Sequence, residues 1–335
     1  MTEKPEQPEV KRRGFITGAA AVGAGYALGN AFPLGDSNNE KPTVSQEKGE
    51  VILEKERLLE GAERQVVEWF RSPEGQEAFA VGNLESIFSN VPRVTGKDIE
   101  GTRFDPTTIY GRGLTIPLDT RTGEIGKEFN CNSFQLDATA GQTMFSAEHC
   151  LDRLGVTHQV ANNVVEDIGT FAPIGVMPES LPKLRFNPDL KNSDIAGKLL
   201  VGVAYDDVDS YTNYPEEGIK LYAGFAIPIQ KTLVDTARQL RLTADADPYS
   251  GLGDFILISS VPELLGRVGG QSGSPVFYRD TVCGIHNKVP VLPRAKNSDF
   301  RQADNTIDFE DWWGLRRIAG PETLAHHARE HDLLR

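Results

Sequence analysis

The chain has 335 residues with 48 Asp and Glu against 35 Lys and Arg, a net charge of −13. That balance excludes a sequence-independent nucleic-acid binder, which needs a basic footprint, and leaves an anionic soluble protein whose length suits one large domain or two to three small ones. With 33 Gly and 20 Pro marking turns, and aromatic and β-branched residues in short runs, the body reads as β-rich rather than a helical bundle.

From the N-terminus, Lys11-Arg12-Arg13-Gly14-Phe15-Ile16 places paired arginines before an apolar, Gly/Ala-rich run through Ala31. Residues 1–31 resemble a twin-arginine export signal, too short and too rich in small residues for a spanning helix. Neither Ala27-Leu28-Gly29 nor Gly29-Asn30-Ala31 is a clean cleavage site, so the segment is expected either to be removed or to remain as an anchor. Either way the body is expected to be exported, working in the periplasm, outside the cell or on its surface. Residues 32–48 are polar and read as a flexible spacer.

Leu59, Ala62, Val66, Trp69 and Phe70 then recur at three- and four-residue steps, the pattern of an amphipathic helix. Ser72-Pro73 supplies a cap and first-turn proline for a second helix carrying Phe79, Leu84, Ile87 and Phe88. This helical extension, 49–102, precedes every catalytic candidate. It is expected to pack as a structural arm on the main body, because its apolar faces need a surface to bury; a propeptide and a partner-binding element are the other two readings.

After Val91-Pro92 the texture changes to short strands and turns. Ile109, Leu114, Ile116 and Leu118 mark one run, and Phe134, Leu136 and Ala138 alternate with polar residues as a half-buried strand would. Thr143 to Ala147 forms another strand, ending at Glu148-His149-Cys150. Similar runs recur at 199–203, 219–222, 255–258 and 276–277.

His149 is the candidate base, since a histidine at a strand end can move protons near neutral pH, although most such residues are structural. Cys150 follows it and Cys131 lies 19 positions earlier (150 − 131), in an exported chain where a disulfide can persist. A bridge there would pin the histidine's turn. Cys283, in an apolar run, is left over as a buried free thiol, with too high a pKa for a nucleophile. Asp194 is the candidate orienting carboxylate, at a loop before an apolar strand; Asp167, Asp206, Asp207 and Asp209 read as solvated loop residues, and the residues alone do not choose among them. Ser272, in Gly269-Gly270-Gln271-Ser272-Gly273-Ser274-Pro275-Val276-Phe277, is framed by glycines before a strand, as a nucleophile turn would be; the same composition also makes a plain loop.

Three patches, Phe145-Ser146-Ala147-Glu148-His149-Cys150, Ser193-Asp194-Ile195-Ala196 and Gly270-Gln271-Ser272-Gly273-Ser274-Pro275, resemble in order and content the His, Asp and Ser motifs of chymotrypsin-like serine proteases, over roughly Thr107 to Pro290. The resemblance implies an all-β fold of two six-stranded antiparallel barrels, with the N-terminal helices and a C-terminal helix added. It places residues 103–205 in the first barrel with His149 and Asp194, and 206–295 in the second with Ser272. Residues 296–335 form a C-terminal helical segment packing Trp312-Trp313, Leu315 and Ile318 onto the barrels. The gaps of 45 (194 − 149) and 78 (272 − 194) leave one half-barrel per interval.

The implied chemistry is acyl transfer to water. Ser272 attacks, His149 takes its proton, Asp194 steadies His149, and the Gly270 and Ser272 N–H groups form the oxyanion hole. The Ser-Gly-Ser-Pro-Val-Phe form followed by Gly284-Ile285-His286 resembles the bacterial glutamyl endopeptidases, which makes His286 the pocket residue for an acidic side chain and Arg267 a second attractor. Asn287-Lys288-Val289 departs from that branch where a substrate-pairing strand is expected. Gly266 stands where the trypsin-type pocket has its aspartate, so Lys or Arg preference is not expected. Gln271 in place of aspartate removes the ion pair by which a freed N-terminus activates the animal digestive enzymes. No cofactor is expected, nor a metal, although His326, His327 and His331 lie close in sequence. Partners are protein or peptide substrates, with the membrane met only through a retained anchor. The alternative from another class is an inactive protease-like binding module at the cell surface.

Overall fold

The computed structural model describes residues 44–111, 113–119, 124–125, 131–139, 141–151, 159–163, 166–173, 181–205, 219–230, 233, 254–258, 271–287 and 315–335. The export segment, the spacer up to residue 43, and Trp312-Trp313 lie outside them.

Helix α1 (Val44–Arg71) buries Leu59 and Val66 along one face. Helix α2 (Pro73–Val81) starts where Ser72 Oγ accepts the Gly75 N–H at 3.0 Å, with proline in its first turn, and ends at Gly82 in the left-handed region. Helix α3 (Leu84–Asn90) and two short turns, α4 (Gly96–Ile99) and α5 (Pro106–Tyr110), follow. Leu59, Val66, Phe79 and Ile87 from these helices share one cluster with Leu199, Val201, Phe225, Ile256 and Ile258. The apolar faces of the helical arm are thus buried on strands of the main body. Glu63, 4% exposed, lies in the same contact, 3.9 Å from Lys198 Nζ and 3.9 Å from an Arg279 Nη.

Strands β1 (Ile116–Leu118) and β2 (Cys131–Ser133) pair antiparallel. Strand β3 (Gln135–Leu136) pairs parallel with β7 (Lys183–Leu184). Strands β4 (Met144–Ser146), β5 (Gln159–Asn163) and β6 (Ile168–Phe171) form a three-stranded sheet in the order β4-β6-β5, with the single-turn helix α6 (Glu148–Leu151) between β4 and β5. After helix α7 (Asn192–Ile195) come β8 (Leu199–Tyr205), β9 (Ile219–Pro228), β10 (Phe255–Ile258), β11 (Pro275–Tyr278), β12 (Thr281–His286) and β13 (Leu315–Ala319). These six close into a barrel in the order β10-β13-β12-β11-β8-β9. Helix α8 (Pro321–Glu330) follows β13, and beyond it Leu334 pairs with Thr139.

The closed barrel's interior holds Leu200, Ala204, Tyr222, Ala226, Phe255, Leu257, Val276, Cys283 and Ile318, alternating with outward residues as the period of a strand requires. Gly202 is a packing necessity: a Cβ there would run into the Tyr222 ring.

A closed six-stranded barrel beside other sheets is consistent with the expected chymotrypsin-like fold. Among the described residues the strands before β8 lie in sheets of two and three strands. The closed barrel also draws strands from outside residues 206–295. Leu199–Tyr205, expected in the first barrel, pairs with β9 and β11. Leu315–Ala319, expected in a helical segment, fills the gap between β10 and β12. Without β13 both neighbours would be left with unpaired ladder groups, an edge that closure removes.

Candidate active site

Strand β4, buried throughout, delivers the chain to α6 and its second residue, His149. Cys150 is bonded to Cys131 at the start of β2, and both sulfurs sit among Ile116, Met144, Leu151 and Phe171. The histidine's turn is therefore tied covalently to the neighbouring sheet. Cys150 Sγ lies 3.7 Å from His149 Nε2, but two sulfurs bonded to each other have no thiolate to offer a metal.

His149 Nδ1 is 2.9 Å from both carboxylate oxygens of Asp167, and its backbone N–H donates to Oδ1, also at 2.9 Å. With Nδ1–H donating to the carboxylate, the neutral imidazole carries its lone pair on Nε2, the form a general base needs. Asp167 is 8% exposed and has φ 54°, left-handed backbone that Asp adopts more readily than most residues. Its carbonyl accepts the Glu148 N–H at 3.2 Å. Burial, ahead of the charge of Asp254, raises the carboxyl pKa of the adjacent Glu166.

Asp194, expected to orient His149, is elsewhere. It is exposed, in the first turn of α7, where its carboxylate accepts the Lys191 N–H at 3.0 Å. The carboxylate beside the His149 imidazole is that of Asp167. The sequence did contain the signal: Asp167-Ile168-Gly169 repeats the Asp-Ile-small pattern of Asp194-Ile195-Ala196, 18 positions after His149.

The stretch around Ser272 is a tight turn. Ser274 N–H donates to Gln271 O at 3.1 Å, Gly273 N–H to His286 O at 2.8 Å, and His286 N–H to Ser274 O at 3.0 Å. Gly273 has φ +79°, and a Cβ there would strike Asn132 O and Ser146 Oγ, so the position requires glycine. Asn132 N–H donates to Ser272 O at 2.7 Å, while Asn132 O accepts Ser146 Oγ–H at 2.7 Å. The turn is thus held by β12 on one side and by β2 and β4, which lead to the disulfide and His149, on the other. Asn132 was not singled out in the sequence; its place directly after Cys131 was the available clue. Ser272 is half-buried, and its hydroxyl makes no hydrogen bond to another described residue.

Gly270, Gly266 and Arg267 lie outside the described residues. His286 is fully buried at the end of β12, its ring centroid 5.6 Å from that of Tyr222. Tyr222 Oη is in turn 3.0 Å from Ser274 Oγ. Gln271 is buried, with no hydrogen bond from its amide to a described residue. Burial drives the Cys283 thiol pKa up, and its Sγ donates to Val276 O at 3.5 Å, an inert thiol. At the C-terminus, His326 pairs with Glu330 at 3.7 Å, whereas His327 is buried against Phe145 and His331.

No family model matches the chain, and no curated protein matches it. Among solved structures it is similar to the scabies mite inactivated protease paralogue S-D1, at 10% identity and TM-score 0.35, covering 66% of this chain and 92% of that one. It is also similar to the scabies mite inactivated protease paralogue S-I1, at 14% identity and TM-score 0.37, covering 68% and 95%. A third similar structure is Deg5, at 10% identity and TM-score 0.33, covering 55% and 84%. Likenesses at these scores assign no function.

Proposed function

We propose that the chain is a chymotrypsin-like serine endopeptidase in which His149, Asp167 and Ser272 form the triad. The observation that carries the reading is the double approach of the Asp167 carboxylate to His149 Nδ1, with the glycine-held turn of Ser272 pinned to the strands that lead into His149. The order His, Asp, Ser along the chain is retained with Asp167 as the acid.

In this mechanism His149 Nε2 takes the Ser272 proton as Oγ attacks a peptide carbonyl, and the N–H groups of Gly270 and Ser272 receive the oxyanion. The amine leaves with the proton from His149, and water, deprotonated by the same nitrogen, hydrolyses the acyl-enzyme. Preference for an acidic residue at the cleaved position is supported by the buried His286 beside Tyr222 and Ser274, with Arg267 as a second attractor. The Cys131–Cys150 bridge supports an oxidising, exported setting and residues 1–31 acting as its signal; no helix among the described residues is long and apolar enough to cross a membrane.

Ser272→Ala is expected to lower turnover of peptide substrates by on the order of 10⁶, and unchanged hydrolysis by the purified variant sinks the proposal. The absence of a hydrogen bond from the Ser272 hydroxyl to described residues favours a second reading, a protease-like binding module without activity. Such bonds are often loose in free enzymes. Covalent labelling of Ser272 by a fluorophosphonate separates the two, because a module with an unactivated serine does not react.

A further inference from the structure

Asn287 follows His286 at the end of β12 and is 5% exposed. Its backbone N–H donates to Arg317 O at 3.0 Å, so the group is consumed within the barrel. Its side chain does something different: Nδ2 donates to Glu166 O at 2.9 Å, across 121 positions of sequence.

That carbonyl belongs to the peptide joining Glu166 to Asp167. A peptide unit is a rigid plane, so holding its oxygen restricts the φ of the following residue. Asp167 has φ 54°, a region that surrounding contacts must maintain. The other end of the turn is held by the Asn163 Oδ1 bond to Glu166 N–H at 3.0 Å and by the Glu148 N–H bond to Asp167 O. The Asn287 bond alone among these comes from the closed barrel's side, from the residue that follows β12. Asn287 Oδ1, meanwhile, is buried without a hydrogen bond to a described residue. Among the described residues the bonded end of the amide is therefore its donor.

We propose that Asn287 is a positioning residue. Through Nδ2–H···O=C of Glu166 it fixes the Glu166–Asp167 peptide so that both Asp167 oxygens face His149 Nδ1, and it joins the barrel bearing Ser272 to the turn bearing the acid. The inference rests on the reading of His149, Asp167 and Ser272 as a triad.

Asn287→Asp keeps the side-chain shape and replaces the donor by an acceptor; Asn287→Ala removes the group, and either variant decides if the other fails to fold. The first measurement is the proton NMR signal of His149 Nδ1–H, identified by its loss in His149→Gln. It requires no catalysis. The signal is expected in the wild type and is expected to be lost to solvent exchange in the Asn287 variants, with cooperative unfolding and the disulfide intact. Peptide hydrolysis is expected to lose about 10- to 100-fold in kcat, the effect of one buried hydrogen bond and its orphaned partner, with KM within about twofold. A folded variant that keeps both the signal and kcat overturns the positioning role and leaves the peptidase reading intact. Absence of the signal from the wild type also overturns it, since the pair to be held is then not formed. A wild type that shows the signal but neither cleaves peptides nor takes the fluorophosphonate overturns the peptidase reading alone, and the NMR comparison still decides for Asn287.

Discussion

Asp167 and Asp194 are each followed by isoleucine and a small residue, and only their backbones tell them apart. At Asp194 the pattern opens a helical turn, and the carboxylate turns back on Lys191 N–H. At Asp167 it crosses a left-handed turn into β6, and the carboxylate turns to His149. The pattern was legible in the sequence; the sign of φ was not, because contacts 18 and 121 positions away hold it. Asp167→Asn is expected to lower kcat by about 10⁴, since an amide offers the imidazole the wrong partner and no charge for its cation. Asp194→Asn is expected to stay within about twofold of wild type, because the amide oxygen still caps Lys191 N–H. Peptidase assays on the two variants check this, and a larger loss at Asp194 contradicts the assignment.

At the scale of elements, the helices wrote themselves plainly into the chain and their destinations did not. The three- and four-residue spacing of Leu59, Ala62 and Val66 and the Ser72-Pro73 cap are local signals, and α1 and α2 form where those signals lie. That these faces land on Leu199, Val201, Phe225, Ile256 and Ile258 depends on how the barrel closes. Strand β13 was illegible for a related reason: Arg316 and Arg317 interrupt its apolar pattern, and its partners β10 and β12 are remote in sequence. Removing residues 1–90 uncovers Leu199, Val201, Phe225, Ile256 and Ile258 on that face of the barrel, and contiguous exposed apolar residues favour association. The truncated chain is expected to aggregate or to bind a hydrophobic dye strongly. A soluble product that unfolds cooperatively at the wild-type temperature shows instead that the arm is dispensable.

For the whole molecule, stability against acid turns on how α8 seals the core. Leu324, Ala325 and Ala328 of that helix join Phe134, Phe145, Leu184, Val203, Phe277 and Ile285 in one cluster, which ties the open sheets to the closed barrel. His327 enters the same packing fully buried, its ring centroid 6.4 Å from Phe145 and 4.9 Å from His331. The sequence offered the three C-terminal histidines only as a rejected metal site, because helical spacing does not say which of them meets the core. Burial, reinforced by His331 and His326, lowers the His327 pKa from 6.5 to about 4. Between those values the unfolded chain binds a proton that the folded one refuses. The stabilisation is therefore complete above about pH 6.5 and is lost as the pH falls towards about 4, by roughly 3 kcal/mol in all. His327→Phe keeps a ring against Phe145 and removes the titration. Urea unfolding at about pH 7 and about pH 4.5 is expected to show a difference in stability smaller by roughly 2 to 3 kcal/mol in the variant. Titrating carboxylates contribute to both proteins alike and cancel in the comparison. An identical pH dependence in wild type and variant would mean that His327 meets its proton without leaving the core, and that the seal of α8 is indifferent to acid.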